Sequence, residues 1–122
     1  MDLFHEIGKL IHLSRDLTRQ EIRALLECIK NNLKEMEKLP AGGTASQHHD
    51  ILKKLTVLTT QTSRQDGKKL KNLGTLIEDL APTVYQGDMF GAPERQLRVL
   101  QREKIPLIKK EIDRLLSEDF RD

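Results

Sequence analysis

The stretch HLSRDLTRQEIRALL, His12–Leu26, decides the fold because it determines whether one helix or two pass through it. Apolar residues keep helical spacing on both sides, but the step from Leu17 to Ile22 is five residues and puts the two stripes out of phase. Thr18 and Glu21 match a capping box, in which each side chain accepts a hydrogen bond from the other's backbone N–H. Leu17 and Ile22 fit a hydrophobic staple. We therefore predict that a helix begins after Thr18; the alternative is one continuous helix with a shifted stripe.

The same helical pattern continues in a third segment, whose apolar stripe runs from Ile51 to Leu80. This segment is either one helix with a weak middle or two helices joined at Asp66-Gly67. Ser46 is its expected N-cap. The threonines between residues 56 and 62 are poor helix formers, so this half of the segment is expected to be its weak part.

A last helix is predicted to begin at Pro93, because proline suits the first helical position. Its apolar stripe contains Leu97 and Leu100 and continues through Leu107 or Ile108 toward residue 116. Pro106 lies inside this stripe. It lacks a backbone N–H and is expected to kink the helix.

Together the stripes predict an all-α fold, a compact antiparallel bundle of four to five helices. No strand-like alternation of apolar and polar residues occurs in the sequence. The 122 residues suffice for a single domain, 1–122, with flexible connectors near 39–46 and 81–92. Aromatic residues make up only 3% of the chain, so leucine and isoleucine must build its core.

Charge and hydropathy argue against several classes of protein. The 21 basic and 19 acidic residues give a net charge of +2, which provides no general attraction to nucleic acid. The single cysteine, Cys28, cannot form an internal disulfide, which fits a reducing compartment. The N-terminus lacks the apolar run of a signal peptide, and no segment approaches the roughly 20 apolar residues that cross a bilayer. We expect a cytoplasmic protein without membrane contact.

The pair His48-His49 is a candidate phosphoacceptor. A phosphotransfer protein carries an exposed histidine on a bundle helix, whose imidazole attacks an aspartyl phosphate beside a lysine. Lys53 follows here at four or five residues, instead of the usual three. The alternative is that these histidines, with His5 and His12, are boundary or solvated residues. No His-x-x-x-His pair and no cysteine pair marks a metal site, so we expect no metal and no cofactor.

Three short stretches resemble the chemotaxis phosphatase CheZ family, in that family's order. They are IGKLIHLSRD at 7–16, DILKKLTVLTTQ at 50–61 and the terminal Asp119-Phe120-Arg121-Asp122. In that family an acid helps to hold the metal-bound phosphoryl site of a receiver protein, and a glutamine one turn later orients the attacking water. The resemblance places the acid at Asp122 and the glutamine beyond the end of this sequence. It implies a two-component phosphatase or phosphotransfer element.

Basic residues cluster in two places, around Arg64, Lys68, Lys69 and Lys71 and along the last helix. The spacing of Arg95, Arg98 and Arg102 puts them on one helix face, where they could follow the phosphates of a nucleic acid. Acidic residues are interleaved with them, as on a solvated face with salt bridges. No aromatic platform for stacking bases accompanies them. Nucleic acid is therefore the less favoured partner.

The 83–91 loop is a candidate partner-binding segment. Tyr85, Met89 and Phe90 are of types that are enriched at protein interfaces. The alternative is that this loop folds back and plugs one end of the bundle. We predict a non-enzymatic protein-interaction module (an adaptor, assembly factor or regulator). It would bind another protein, or a second copy of itself, through apolar helix faces or the 83–91 loop.

Overall fold

The computed structural model describes residues 15–38, 44–84 and 93–121, and every regular element in these ranges is helical. The helices are α1 (Arg19–Met36), α2 (Thr44–Thr60), α3 (Arg64–Lys69), α4 (Lys71–Glu78), α5 (Pro93–Val99) and α6 (Ile105–Ser117). A π-helical turn, Leu100–Lys104, joins α5 to α6, and residues 81–84 form one helical turn after α4. The predicted all-α fold is confirmed.

Helix α1 begins after Thr18, as predicted from the opening stretch, whereas the apolar residues that precede Arg15 lie outside the described residues. The Thr18 hydroxyl accepts a hydrogen bond from the Glu21 N–H at 3.2 Å, and the Glu21 carboxylate accepts from the Thr18 N–H at 2.8 Å. This reciprocal pair is the predicted capping box. Leu17 and Ile22 are both buried beside it. Arg15 donates to the same carboxylate at 2.7 Å, and mainly for this reason the pKa of Glu21 falls to about 2.

Helices α1 and α2 are antiparallel. Just before α1, Leu17 donates its backbone N–H to the carbonyl of Gln61, just after the end of α2, at 2.7 Å. Toward the other end of the pair, Asn32 of α1 donates to the side chain of Gln47 in the first turn of α2 at 2.7 Å. The end of α1 and the start of α2 therefore lie at the end of the bundle opposite to Thr18.

Helix α6 is antiparallel to both α1 and α4. Near the start of α1, Arg23 donates to the backbone carbonyl of Phe120 at 2.6 Å, and after its end Glu37 accepts from Lys109 at 2.8 Å. The contacts with α4 and its C-cap are Asn72–Glu111 at 3.0 Å and Lys104–Asp79 at 3.5 Å. The four main helices thus run alternately up and down, which is the predicted antiparallel bundle.

The core is aliphatic, as the composition requires. Its fully buried side chains include Ile22, Leu26, Ile29, Leu33, Ile51, Leu58, Leu73, Ile77, Ile112 and Leu115. Each contributes roughly 1.5–3 kcal/mol when it is removed from water. Phe120 is the one phenylalanine, tyrosine or tryptophan among the described residues. It is 1% exposed and closes one end of the bundle, where Lys69 Nζ lies 5.7 Å from its ring centroid. Cys28 is buried too.

Two predicted boundaries of the third segment are wrong. Helix α2 begins at Thr44, two residues before the predicted N-cap Ser46, so residues 44–46 belong to the helix and not to the 39–46 connector. The break between α2 and α3 lies at 61–63, and not at the Asp-Gly pair. The reason is that Ser63 caps α3, since its hydroxyl accepts the Asp66 N–H at 3.2 Å.

The predicted 81–92 connector also differs in extent. Residues 81–84 continue α4 as a helical turn, in which Val84 donates its N–H to the Leu80 carbonyl at 2.9 Å. Leu80 and Val84 are both buried, so this turn is held by the core.

The last helix begins at Pro93, as predicted, and its irregularity lies just before Pro106. Ile105 donates its N–H to the Leu100 carbonyl, five residues earlier, which makes the turn π-helical. Pro106 has no N–H to offer to the Arg102 carbonyl, and this favours an interruption at this place.

The described residues also bear on membrane insertion. None of the helices in 15–38, 44–84 and 93–121 combines the length and the apolarity that crossing a lipid bilayer requires.

Candidate functional site

The most distinctive surface of the described residues lies on the last helix. We call it the outer face, defined by the exposed residues Arg95, Arg98, Arg102, Pro106, Leu107 and Lys110. The other side of the same helix carries the buried residues Leu100, Ile105, Ile108, Ile112 and Leu115. The outer face therefore points away from the core. At about 1.5 Å per residue it is roughly 22 Å long.

The π-helical turn determines which apolar residue this face exposes. In an uninterrupted α-helix, Leu107 would lie two turns after Leu100 and share its buried side. The wider turn shifts the register by one residue, so that Ile108 enters the core and Leu107 faces solvent. Leu107 is 58% exposed, and it is the one exposed large hydrophobic residue in the described part of the chain. Of the two predicted alternatives, Ile108 continues the buried stripe.

The cations beside the outer face form ion pairs with described residues, and in this they differ from the cations on it. Lys104 lies 3.5 Å from the carboxylate of Asp79, and Lys109 lies 2.8 Å from that of Glu37, so both are bound to neighbouring helices. The cations of the outer face make no ion pair with another described residue; they are Arg95, Arg98, Arg102 and Lys110. The salt bridges of the flanking lysines thus run to neighbouring helices, and not to the acidic residues interleaved on the last helix.

The second basic cluster lies at the other end of the bundle. Lys69 is 3.8 Å from Asp66 and lies over the ring of Phe120, which follows the C-terminus of α6. The arginines of the outer face lie near the start of the same long helix, whose N-terminal half meets the C-terminal ends of α1 and α4. The two predicted clusters therefore do not form one continuous basic surface.

The candidate phosphoacceptors His48 and His49 have different environments. His48 is 1% exposed, and its ring donates to the backbone carbonyl of Ile77. Burial lowers the pKa of His48, and the charge of His49 acts in the same direction. His49 is exposed, so it is the member of the pair that an incoming domain could reach. His5 and His12 lie outside the described residues.

Metal ligands are not assembled in the described part of the chain. Within it, no three His, Cys, Asp or Glu side chains lie close enough together to hold a metal ion.

Residues 119 and 120 of the CheZ-like stretch have structural contacts. The carboxylate of Asp119 is paired with Arg114 at 3.2 Å. Phe120 is buried, and its N–H donates to the Leu115 carbonyl at 2.7 Å. Asp122, the acid that the resemblance identifies, lies outside the described residues.

The predicted partner-binding residues Tyr85, Met89 and Phe90 also lie outside the described residues. The chain leaves the described part at Val84, which is buried, and re-enters it at Pro93, the first residue of α5.

A lysine that was not predicted to be buried lies between α1 and α2. Lys54 is 5% exposed and donates to the side chain of Asn32 at 2.7 Å. Asn32 and Gln47 also line an open groove of about 350 Å³. Burial lowers the pKa of Lys54. Its position, three residues after Ile51 and four before Leu58, is the signal that could have placed it on the buried face.

Comparison with known proteins gives no relative. No protein-family model, curated protein or solved structure matches this chain.

Proposed function

We propose that the protein is a non-enzymatic protein-interaction module, an adaptor or regulator that binds its partner through the outer face. The observation that carries this proposal is the exposure of Leu107 by the π-helical turn. π-Helical turns occur frequently at functional sites. Burial of a leucine side chain in a complex contributes roughly 1.5–3 kcal/mol. Arginine, which flanks Leu107 here, is enriched at protein interfaces.

The packing of the other helices supports the choice of this surface. The apolar stripe of α1 is buried throughout, from Ile22 to Met36, where α2 and α6 pack against it, and the stripe of α4 is buried against α6. Of the helix faces predicted to bind a partner, that of the last helix is the one with an exposed large apolar residue among the described residues. The 83–91 loop stays a second predicted contact.

A protein partner suits the outer face better than a nucleic acid. Leu107 and Pro106 are adjacent apolar side chains that a phosphate backbone cannot bury. A protein surface can bury the leucine and accept hydrogen bonds from the arginines together.

Quantitative affinity capture from cells of the source organism tests this proposal. The baits are the full chain, its Leu107→Asp variant and a Thr59→Asp variant, which places the same charge on an exposed position of α2. We expect a discrete set of proteins that the Leu107→Asp bait loses and the Thr59→Asp bait keeps. Identical sets with all three baits would refute a role for the outer face.

A further inference from the structure

We infer that the segment bound by the outer face is an acidic amphipathic helix of a partner protein. This inference rests on the proposed function and names the chemistry of its partner. It follows from the charge of the outer face, the spacing of its arginines and the exposure of Leu107.

The positive charge of the outer face favours a partner segment that carries carboxylates. Arg95, Arg98, Arg102 and Lys110 are exposed and form no ion pair with another described residue. The neighbouring Lys104 and Lys109 are already paired with acidic residues. Lys104 pairs with Asp79 at the C-cap of α4, and Lys109 pairs with Glu37 at the C-cap of α1. Glu103 is the one described exposed acid within 95–110, so the face keeps a positive excess. A complementary negative surface would accelerate association and determine the register of the complex.

The spacing of the arginines fits a helix. Arg95, Arg98 and Arg102 follow one another at intervals of three and four residues along α5 and the π-helical turn. A second helix laid along this face presents its own side chains at the same intervals, so carboxylates at such positions meet the guanidinium groups in turn. An arginine can bind a carboxylate through two parallel hydrogen bonds.

Leu107 supplies the apolar part of the contact. It follows Arg102 by five residues, roughly 7.5 Å along the helix axis at about 1.5 Å per residue. A partner helix with one large apolar residue beyond its acidic stripe would bury Leu107 against Pro106. This combination of an acidic stripe and an apolar anchor defines the partner segment.

A fluorescent synthetic helix tests the inference by anisotropy titration against the full chain. The probe is a capped peptide of about 20 residues, with glutamates at the three- and four-residue intervals and one leucine beyond them. We expect saturable binding that weakens with added salt. The variant Arg95→Glu/Arg98→Glu/Arg102→Glu should bind about 10- to 100-fold more weakly, as three exposed ion pairs are lost.

A matched control separates local from overall charge. The variant Arg64→Glu/Lys68→Glu/Lys71→Glu changes the net charge by the same amount at three exposed positions of the other basic cluster. It should bind the acidic peptide like the natural sequence. A peptide with lysines in place of its glutamates should regain binding to the Arg95→Glu/Arg98→Glu/Arg102→Glu variant and bind the natural sequence poorly.

Three results would overturn the inference. They are equal loss with both triple variants, no binding below about 1 mM, and a duplex DNA that binds more tightly than the peptide. The acidic peptide could fail to bind while the Leu107→Asp bait still loses its captured proteins. That result would support the interaction module and reject the acidic partner helix. If the peptide binds as expected and the captured sets are identical, the proposed cellular role fails instead.

Discussion

The backbone N–H of Ile105 donates to the carbonyl of Leu100, five residues earlier, and this one bond determines the register of α6. The sequence contains two apolar steps of five residues, from Leu17 to Ile22 and from Leu100 to Ile105. At the first, the Thr18 capping box ends one stripe and begins another. At the second, a π-helical turn absorbs the extra residue and the helix continues.

Deletion of one residue tests the role of the π-helical turn. Deletion of Glu103 should let the turn become α-helical while everything after it keeps its register, so we expect a change of within about 1 kcal/mol in unfolding free energy. Deletion of Lys110, equally exposed, rotates Ile112 and Leu115 out of the core and should cost about 2–5 kcal/mol for each. Urea unfolding measures both. If the two deletions lower the unfolding free energy equally, the π-helical turn does not accommodate one extra residue.

The capping box makes a second prediction. Thr18→Ala removes the hydroxyl that accepts the Glu21 N–H and should lower the unfolding free energy by roughly 1 kcal/mol. Thr59→Ala is the control, because this exposed threonine lies within α2 and alanine is the better helix former. Thermal melts in which both variants behave like the natural chain would argue against the cap.

His48 makes the stability depend on pH. Burial holds its pKa in the folded state below the ordinary value of 6.5, so the unfolded chain binds more protons below that pH. Stability should be full above about pH 6.5 and should fall as the pH decreases. The carboxylate of Glu21 acts in a separate window, since its contribution is lost only between pH 4.5 and about 2.

The measurement compares urea midpoints at about pH 7.5 and about pH 5.5, where Glu21 stays ionised. His48→Asn keeps an N–H donor without the titration and should reduce the difference between the two midpoints. His49→Asn, at the exposed neighbour, should leave it nearly unchanged. A full difference in the His48→Asn variant would assign the pH dependence to another group.

The contrast between the buried Phe120 and the exposed Leu107 gives a fourth prediction. Phe120→Ala should cost about 3–5 kcal/mol, because the ring is buried and closes the end of the bundle. Leu107→Ser should change the unfolding free energy by less than about 0.5 kcal/mol, because the side chain faces solvent. Circular dichroism during denaturation measures both. A large loss for Leu107→Ser would mean that this residue belongs to the core.

The described helices and the start of α1 after Thr18 could be predicted because both depend on local chemistry, namely apolar periodicity and a capping box. The sequence left open whether the third segment is one helix or two joined at Asp66-Gly67. Neither alternative gives the break at 61–63, because the Ser63 hydroxyl determines where α3 begins. The choice between Leu107 and Ile108 stayed open because both fit a helical stripe. The π-helical turn determines which of them is buried, and the spacing of apolar residues does not predict its hydrogen bond.

Site-specific photo-crosslinking tests the central claim most directly. A photoreactive amino acid at position 107, with a matched one at the exposed position 59 of α2, is activated in cells of the source organism. We expect a discrete crosslinked protein from position 107, reduced by the Arg95→Glu/Arg98→Glu/Arg102→Glu substitutions, and none from position 59. A chain that crosslinks equally from both positions, or from neither, would contradict it.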